Sequence, residues 1–392
     1  MKTMNKILIA AAVLALNGPI FAADSPFGEL SYSGAKAVGV SAPAETGLAE
    51  ARRLVSEEVP AQGFNATQRQ TMLQHNSAKG AAKGLTFGDE ERVQRVYRPY
   101  ADYEHPGYLI MSSDFNFNSR EAKLAAAAAL PASSKLVIFT SSADRDTKEA
   151  ILRAYEGVIA RNRVIVIQLP SASRGFWARD GIPVPVMDSQ NRLVVVDAVY
   201  GHGFEPDAEI ARLYGVRRER HDYYYEGGNF MANRNGLCIM VNHGYHTSIP
   251  DNTFVGQYGC DRMLRLPFVD GIGHIDEHVR YINDTTVVTD IASYKPLLER
   301  AGLTVHMMPK PTGAYETHVN SLILGNKVIM PAYGGATDEA AMAVYRGLGL
   351  EPVAAPSNSL SNRGQGSVHC ITMTYPAVPA PELMKALGAS EI

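Results

Sequence analysis

One cysteine lies where a nucleophile is expected. Cys370 follows Gly364 and Gly366 and precedes a β-prone run of isoleucine, threonine and methionine. Glycines allow backbone to lie close to a ligand, and a thiolate assisted by a histidine can attack an electrophilic carbon. A lone cysteine is more often a small buried hydrophobic residue. Catalysis by Cys370 is therefore an interpretation that needs acid–base groups elsewhere in the chain.

The strongest acid–base candidates are His274 and Asp276. Residues two apart in an extended segment point to the same face, so both side chains could enter one pocket. Together with His278 the segment also resembles a metal site, but such a site would need more histidine or cysteine close in space. We therefore predict no metal here. A surface pair without a role is the remaining alternative.

Three further segments carry polar groups beside apolar stretches. Trp177 is the only tryptophan and precedes Asp180, Glu226 precedes two glycines, and Asn320 lies in a His-Val-Asn segment. Each is a weak signal alone, because carboxylates beside glycines often form turns and a tryptophan often belongs to the core. In combination, two or three acids, an aromatic ring, a histidine and a thiol are the groups that chemistry on a guanidinium needs.

Short apolar runs alternate with amphipathic stretches between these segments. Ser119 can cap an alanine-rich helix that stops at Pro131. The remaining pattern predicts strands near residues 108–111, 136–140, 164–169, 193–196, 237–241, 286–289, 321–324 and 370–373, and helices near residues 147–160, 206–213, 294–300 and 338–348. This alternation predicts an α/β fold in a single domain. The pattern alone leaves open whether the strands form one open sheet or several small ones.

Taken together and in this order, the segments resemble the agmatine deiminase and Porphyromonas-type peptidylarginine deiminase family of the guanidino-modifying (pentein) superfamily. The resemblance covers residues 95–376 and is carried by these motifs: Ala101-Asp102-Tyr103-Glu104, Trp177-x-Arg179-Asp180, Glu226-Gly-Gly-Asn229, Gly273-His274-x-Asp276, Asn320 before a strand ending in Pro331, and Gly364-x-Gly366-x-x-His369-Cys370-x-Thr372 with Pro376. It implies a five-bladed α/β propeller with the site in its central channel. It also implies that no metal or organic cofactor is required.

The resemblance implies hydrolysis of a guanidino group to a ureido group and ammonia. Cys370 would attack the guanidinium carbon to form a thiouronium intermediate, and His274 would protonate the departing ammonia and then activate water. Asp180 and Asp276 would hold the cation. Three further residues are expected in or beside the pocket, the first two at the substrate and the last beside the nucleophile: Trp177, Glu226 and Asn320.

The first residues predict export. Lys2 and Lys6 precede the apolar run 7–16, a helix break follows, and a plausible cleavage site lies just after Ala22. The run is short for a membrane span, so we expect removal of residues 1–22 and a periplasmic or secreted protein. Residues 23–94 are rich in small and polar residues and predict a loosely ordered arm with a helix at 45–58. Residues 95–392 form the expected catalytic domain.

Bulk composition limits the partners. The chain has 392 residues, of which 46% are hydrophobic and 20% charged, as in ordinary globular proteins. Its net charge of -3 and the lack of a basic stripe argue against nucleic acid as a partner. The count of three cysteines leaves at least one thiol without an intramolecular partner. Cys238 and Cys260 could pair, and Cys370 is the candidate free thiol.

The substrate stays open between agmatine, arginine in peptides and free arginine. Cytoplasmic members of the family act on agmatine and feed putrescine synthesis, whereas exported members citrullinate arginine in peptides, which the signal sequence favours. The acidic residues Glu205, Asp207 and Glu209 instead favour a second amine, as in agmatine. We expect a peptidylarginine-type or broad substrate. The rival hypotheses are a Cys–His amidase or peptidase, which would not need paired acids, and a non-catalytic binding protein.

Overall fold

Five small sheets make up the described part of the molecule. The computed structural model describes residues 59–82, 94–169, 174–203, 218–387 and 390–392. Each sheet has a core of three strands, in which the first pairs antiparallel with the second and the second pairs parallel with the third. The cores are Val184–Asp188, Leu193–Val199 and Arg218–Tyr224; Met231–Ala232, Leu237–Asn242 and Arg262–Pro267; Val279–Tyr281, Thr286–Thr289 and Thr304–Met307; Leu322–Leu324, Lys327–Ala332 and Glu351–Pro356; and Met373–Tyr375, Tyr108–Ser112 and Lys135–Thr140. The predicted α/β fold is confirmed, and the five repeats match the five blades expected.

Additional strands extend two of the sheets. Tyr97–Pro99 pairs antiparallel with Val184–Asp188 in the first sheet. Val164–Gln168 and Ser390–Glu391 extend the last sheet beyond Lys135–Thr140. The strands of this last sheet are mostly buried on both faces, as expected for parallel strands covered by other elements.

The last sheet also joins the two ends of the catalytic domain. Met373–Tyr375 pairs antiparallel with Tyr108–Ser112, which is the largest sequence separation of any strand pair in the described residues. Cys370 lies in the turn just before Met373–Tyr375, so the predicted strand at 370–373 begins later than expected. The pairing therefore brings the cysteine segment back to the beginning of the domain.

The helices of the described residues flank these sheets, and for example Arg120–Ala129 packs on Lys327–Ala332 and Glu351–Pro356. The longer helices are Ala66–Ala82, Arg120–Ala129, Arg145–Ala154, Lys295–Arg300, Ala336–Gly347 and Ala380–Leu387, and the short ones include Ala178–Gly181, Asp251–Thr253 and Asn358–Asn362. None of the helices in the described ranges is long and apolar enough to cross a membrane. The predicted helix near residues 206–213 lies outside the described residues.

Two predicted helices show how well local sequence signals indicate where a helix begins and ends. Ser119 occupies the predicted N-cap position of Arg120–Ala129, but its side chain makes no capping hydrogen bond. The helix predicted at 147–160 is instead Arg145–Ala154, because Asp144 caps it by accepting from the Thr147 backbone N–H at 2.7 Å. It stops before Gly157, whose φ of 77° belongs to the left-handed region that glycine adopts without strain.

Residues 59–82, the described part of the predicted arm, are more ordered than the sequence predicted. Helix Ala66–Ala82 is tied to the domain through Asn76, whose Nδ2 donates to the carbonyl oxygens of Tyr224 and Tyr245 at 3.0 and 2.9 Å. Asn76 Oδ1 accepts from the Tyr224 backbone N–H at 2.8 Å. A few such buried polar contacts and the insertion of Phe64 into the core order this stretch despite its polar composition. The helix predicted at 45–58 lies outside the described residues.

Cys238 and Cys260 form a disulfide across a separation of 22 residues, and both side chains are buried. The bond links Cys238 in strand Leu237–Asn242 to Cys260, two residues before the parallel neighbouring strand Arg262–Pro267. Disulfides persist in oxidising compartments, which is the setting that the predicted signal sequence requires.

Replacing both Cys238 and Cys260 with alanine should lower the free energy of unfolding by about 3 kcal/mol, because the unfolded chain loses the cross-link of a loop of this length. Urea unfolding with and without a reductant measures the change. The reductant should destabilise the parent and leave the double variant unaffected. Equal stability of the two proteins without reductant would contradict the stabilising role.

Candidate active site

A short segment with a predicted site residue precedes the first strand of each three-stranded core. These residues come together although they are distant in sequence, and all are buried. Asp180 precedes Val184–Asp188, Glu226 precedes Met231–Ala232, Asp276 precedes Val279–Tyr281, Asn320 precedes Leu322–Leu324, and Cys370 precedes Met373–Tyr375. The repeated topology therefore delivers one polar segment from each sheet to a common centre.

The His274–Asp276 segment reaches this centre by a local geometry other than the predicted one. His274 is extended, but Ile275–Glu277 forms a 3₁₀ turn, so the expectation of an extended segment is wrong. Both side chains still face the same space. A Cβ added to Gly228 would lie 2.7 Å from Asp180 Oδ1, 2.8 Å from His274 Nδ1 and 3.4 Å from Asp276 Oδ1. Only glycine at this position leaves room between the three side chains.

His274 lies between two buried carboxylates. Its Nδ1 is 3.6 Å from Asp180 Oδ1, and its Nε2 is 3.8 Å from Glu226 Oε2. Burial alone would lower the His274 pKa, but the two carboxylates outweigh burial and raise this pKa to about 10. The imidazole therefore holds a proton at neutral pH and can act as a general acid.

A second histidine holds Glu226. His246 Nε2 lies 2.7 Å from Glu226 Oε2, and the Asn229 amide nitrogen lies 3.0 Å from His246 Nδ1. Both backbone groups of Val241 fix the orientation of that amide, so Asn229 donates and His246 Nδ1 accepts. Nε2 then carries the ring proton and donates to Glu226. Burial would raise the Glu226 pKa, but hydrogen bonds from His246 and His274 lower it to about 2.

Of the three acids Asp180, Glu226 and Asp276, Asp180 is the one whose pKa is raised. Its Oδ1 accepts from the Gly228 backbone N–H at 3.1 Å, and its Oδ2 accepts from Gln62 Nε2 at 2.8 Å. Burial raises the pKa of Asp180 to about 7, with the charges of Asp276 and Glu226 adding to burial and the neighbouring imidazolium opposing it. Asp180 thus carries a full charge only above neutral pH, unless a second cation binds beside it in addition to His274.

His369 links Asp276 to a further acid. His369 Nδ1 lies 2.7 Å from Asp276 Oδ2, and its Nε2 lies 2.9 Å from Asp102 Oδ2. Asp102 also accepts from Arg179 at 3.0 Å and from Arg280 at 3.1 Å. Although burial acts in the opposite direction, Arg179 and His369 keep the Asp102 pKa well below its usual range. The network fixes one oxygen of Asp276, and the other, Oδ1, is buried without a hydrogen-bond partner.

Cys370 faces Asn320 and Asp276. Its Sγ lies 3.1 Å from Asn320 Nδ2 and 3.5 Å from Asp276 Oδ2, and the side chain has no exposure to solvent. Burial raises the pKa of the thiol well above its usual range, and the charges of Asp276 and Asp180 raise it further. A cation bound between these carboxylates would offset their field and lower the thiol pKa.

Trp177 supports the glycine-rich stretch before the cysteine. A Cβ on Gly364 or Gly366 would collide with the indole ring, so both glycines allow a close approach to its face. The Trp177 Nε1 donates to the carbonyl oxygen of Pro60 at 3.0 Å, and Phe117 stacks on the ring at 5.7 Å. The predicted contact between Trp177 and the substrate stays a prediction.

No group of three or more His, Cys, Asp or Glu side chains within the described ranges is arranged to hold a metal ion. His278 was the third candidate ligand. It lies 3.0 Å from Asp290 and 2.9 Å from Asp270, and burial is outweighed by these acids so that its pKa rises to about 10. His278 therefore holds the loop that carries His274.

Four residues of this centre had no role in the sequence analysis. Asp102 and His369 lie inside quoted motifs, and their polar character next to the matched positions was the available signal. His246 and Gln62 lie outside every motif. Only the fold shows that His246 supports Glu226 and that Gln62 reaches Asp180.

A sequence profile of the Porphyromonas-type peptidyl-arginine deiminase family matches residues 114–376. The chain belongs to this family. The match includes every predicted site residue, from Trp177 to Cys370. The protein is accordingly a deiminase-type hydrolase that acts on the C–N bonds of guanidino groups.

Solved structures of related enzymes share the fold of this deiminase family member. The agmatine deiminase of C. jejuni superposes with a TM-score of 0.59 at 17% identity, over 71% of this chain and 95% of that chain. A Cys-to-Ser variant of the C. jejuni enzyme with substrate bound gives 0.58 at 16% identity, over 71% and 96%. The agmatine deiminase of Enterococcus faecalis gives 0.57 at 16% identity, also over 71% and 96%. A comparison with curated protein sequences finds no significant match.

Proposed function

We propose that this deiminase hydrolyses the guanidino group of arginine in peptides, outside the cytoplasm, with Cys370 as the nucleophile. The observation that carries the proposal is a set of buried polar atoms without partners around one thiol. Asp276 Oδ1, Glu226 Oε1 and His274 Nδ1 are all buried without a hydrogen-bond partner. A planar cation with several N–H donors satisfies such carboxylate oxygens better than a neutral ligand does.

Binding would come first. The guanidinium would pair with Asp180 and Asp276, and its charge would offset the two that surround Cys370. Because these carboxylates raise the thiol pKa in the resting state, their neutralisation favours the thiolate. Asn320, 3.1 Å from the sulfur, would donate to the thiolate and hold it in position.

Attack of the thiolate would then form a C–S bond at the guanidinium carbon. His274 would give its proton to a terminal nitrogen, which leaves with the electron pair of the C–N bond as ammonia. The neutral His274 would take a proton from water, whose oxygen attacks the thiouronium carbon. Cleavage of the C–S bond would return the thiolate, and loss of the hydroxyl proton to solvent would release the neutral ureido product. The raised His274 pKa suits the first of these proton transfers.

The choice of peptide over agmatine rests on compartment. The Cys238–Cys260 disulfide and the predicted signal sequence both favour an exported protein. Agmatine is the second candidate, because Glu205, Asp207 and Glu209 would attract a second amine. These three acids lie outside the described residues.

The test is to incubate purified protein with agmatine, free arginine and a blocked arginine peptide, with ammonia and ureido product both measured. We expect the highest kcat/KM on the peptide, by about tenfold, which corresponds to about 1.4 kcal/mol of added transition-state binding from contacts to the peptide backbone. A preference for agmatine would replace the proposal with N-carbamoylputrescine formation. Hydrolysis of neutral amides alone would favour a Cys–His amidase.

A further inference from the structure

The catalytic centre is closed in this structure. Cys370, Glu226 and Asp276 have no solvent exposure, and His274 is only 3% exposed. A nucleophile that must meet a substrate cannot act in this state. Part of the protein must therefore move before a guanidino group can reach the thiol.

The covering segment, residues 60–64, closes the centre. Three hydrogen bonds hold its backbone, from the Gln62 N–H to Gly364 O at 2.8 Å, from Trp177 Nε1 to Pro60 O at 3.0 Å, and between His202 Nε2 and Gln62 O at 3.0 Å. These contacts involve the glycine-rich stretch, where the sequence analysis expected a ligand to lie close to the backbone. In this structure the covering segment of the same chain occupies that position.

Gln62 extends from the covering segment into the catalytic centre and is 1% exposed. Its Nε2 donates to Asp180 Oδ2 at 2.8 Å, whereas its Oε1 is buried without a hydrogen-bond partner. A Cβ on Gly366 would collide with Gln62 Oε1, so a glycine at 366 is needed to admit this amide. The amide is planar and donates N–H to a carboxylate, as a guanidinium does.

Phe64 anchors the other end of the covering segment. Its ring stacks on His202 at 4.4 Å and meets Tyr200 and Tyr245 edge-on at 6.4 Å. Helix Ala66–Ala82 follows directly and is fixed by Asn76. The anchor is thus apolar and lies apart from the acids, whereas Gln62 alone enters the centre.

We propose that the groove formed by Trp177, His202 and Gly364 binds extended polypeptide, and that the covering segment competes with substrate for it. Gln62 occupies the Asp180 carboxylate until the segment leaves. The inference rests on the proposed roles of Asp180 and Cys370 in the deiminase reaction. Turnover by the full-length chain is then limited by the fraction of molecules in which the groove is free.

The test compares Gln62→Ala and Phe64→Ala with the parent, all as full-length chains. Iodoacetamide alkylation of Cys370, followed by mass spectrometry, reports access to the thiol without requiring turnover. A hydrogen bond to a carboxylate is worth about tenfold or more in an equilibrium constant, so Gln62→Ala should alkylate about tenfold faster. The kcat/KM for an arginine peptide should rise in parallel. Gln74→Ala, the same change on the exposed face of the following helix, should match the parent within about twofold.

Two outcomes would overturn the inference. If alkylation stays at the parental rate while kcat/KM falls, the covering segment is a permanent wall of the substrate site. If a synthetic peptide of residues 59–65 fails to slow alkylation of Gln62→Ala, the groove does not bind this segment in competition. The peptide arm decides the question even where Phe64→Ala loses its fold, as seen by circular dichroism. Faster alkylation without turnover of any guanidino substrate would support the covering segment and refute the proposed function.

Discussion

Replacing Cys370 with alanine should lower turnover of every guanidino substrate by roughly 10⁴-fold or more, because the other two cysteines of the chain are joined in a disulfide and cannot replace the free thiol. The fold should persist. Alanine fills the same buried position and removes one small atom, which costs about 1 kcal/mol of stability. Steady-state ammonia release and a thermal melt of the same preparation measure the two effects.

The matched controls for this substitution are Cys238→Ala and Cys260→Ala. Both remove a buried sulfur, and both should retain kcat at lower stability, because the disulfide belongs to the second sheet and the segment leading into its last strand, and not to the group of acids. Turnover by Cys370→Ala close to that of the parent would mean that water attacks the substrate directly. The thiol would then have no covalent role.

Asp180→Asn and Asp276→Asn should each lower kcat/KM by at least about thirtyfold. Each change leaves the substrate cation poorly compensated in a buried site. Loss of one partner of such a charge pair costs about 2–5 kcal/mol, and each 1.4 kcal/mol corresponds to about a tenfold change in affinity or rate. Asp188→Asn is the matched control, because Asp188 is also a buried carboxylate but holds Arg192 at the end of a strand. Its kcat/KM should stay within about twofold of the parent.

The pH profile separates the two acids. Burial raises the Asp180 pKa to about 7, so below that pH Asp180 holds a proton and offers no charge to the substrate. The kcat/KM of the parent should therefore rise with pH through about 7, and Asp180→Asn should no longer show this rise. The Asp276 pKa is lowered despite burial, because of the hydrogen bond between Asp276 and His369, so Asp276→Asn should keep this pH-dependent rise at a lower level of kcat/KM. If both variants stay within a fewfold of the parent on every substrate, neither acid holds the guanidinium.

The sequence predicted several strands with long apolar runs, such as Lys135–Thr140 and Leu237–Asn242, but not the mostly buried Val184–Asp188. It missed Arg218–Tyr224 and Arg262–Pro267, since both are polar or partly exposed and have no alternation to recognise. The fivefold repeat was likewise invisible in composition, because the repeated unit is a pairing pattern and not a sequence pattern. It entered the predictions only through the family resemblance.

The residues of the candidate site also fall into those that the sequence could predict and those that it could not. Cys370, His274 and Asp276 were predictable because their residue types are rare and chemically specific, and their roles stay predictions until the variants are measured. Gln62 was not predictable, because a glutamine in a polar stretch is identical in sequence to any solvated glutamine. Its importance arises from one buried hydrogen bond, to a carboxylate more than a hundred residues away.

The antiparallel pairing of Met373–Tyr375 with Tyr108–Ser112 sets the order in which the centre is assembled. During synthesis the acids and histidines emerge first, and the thiol that precedes Met373–Tyr375 emerges later. The pairing spans nearly the whole domain, and such distant contacts form late because chain closure must precede them. A nascent or unfolded chain therefore keeps Cys370 apart from Asp180 and Asp276, the proposed cation-binding acids. Under the proposed export and the proposed peptide substrate, this delay would protect the arginines of the cell that makes the protein.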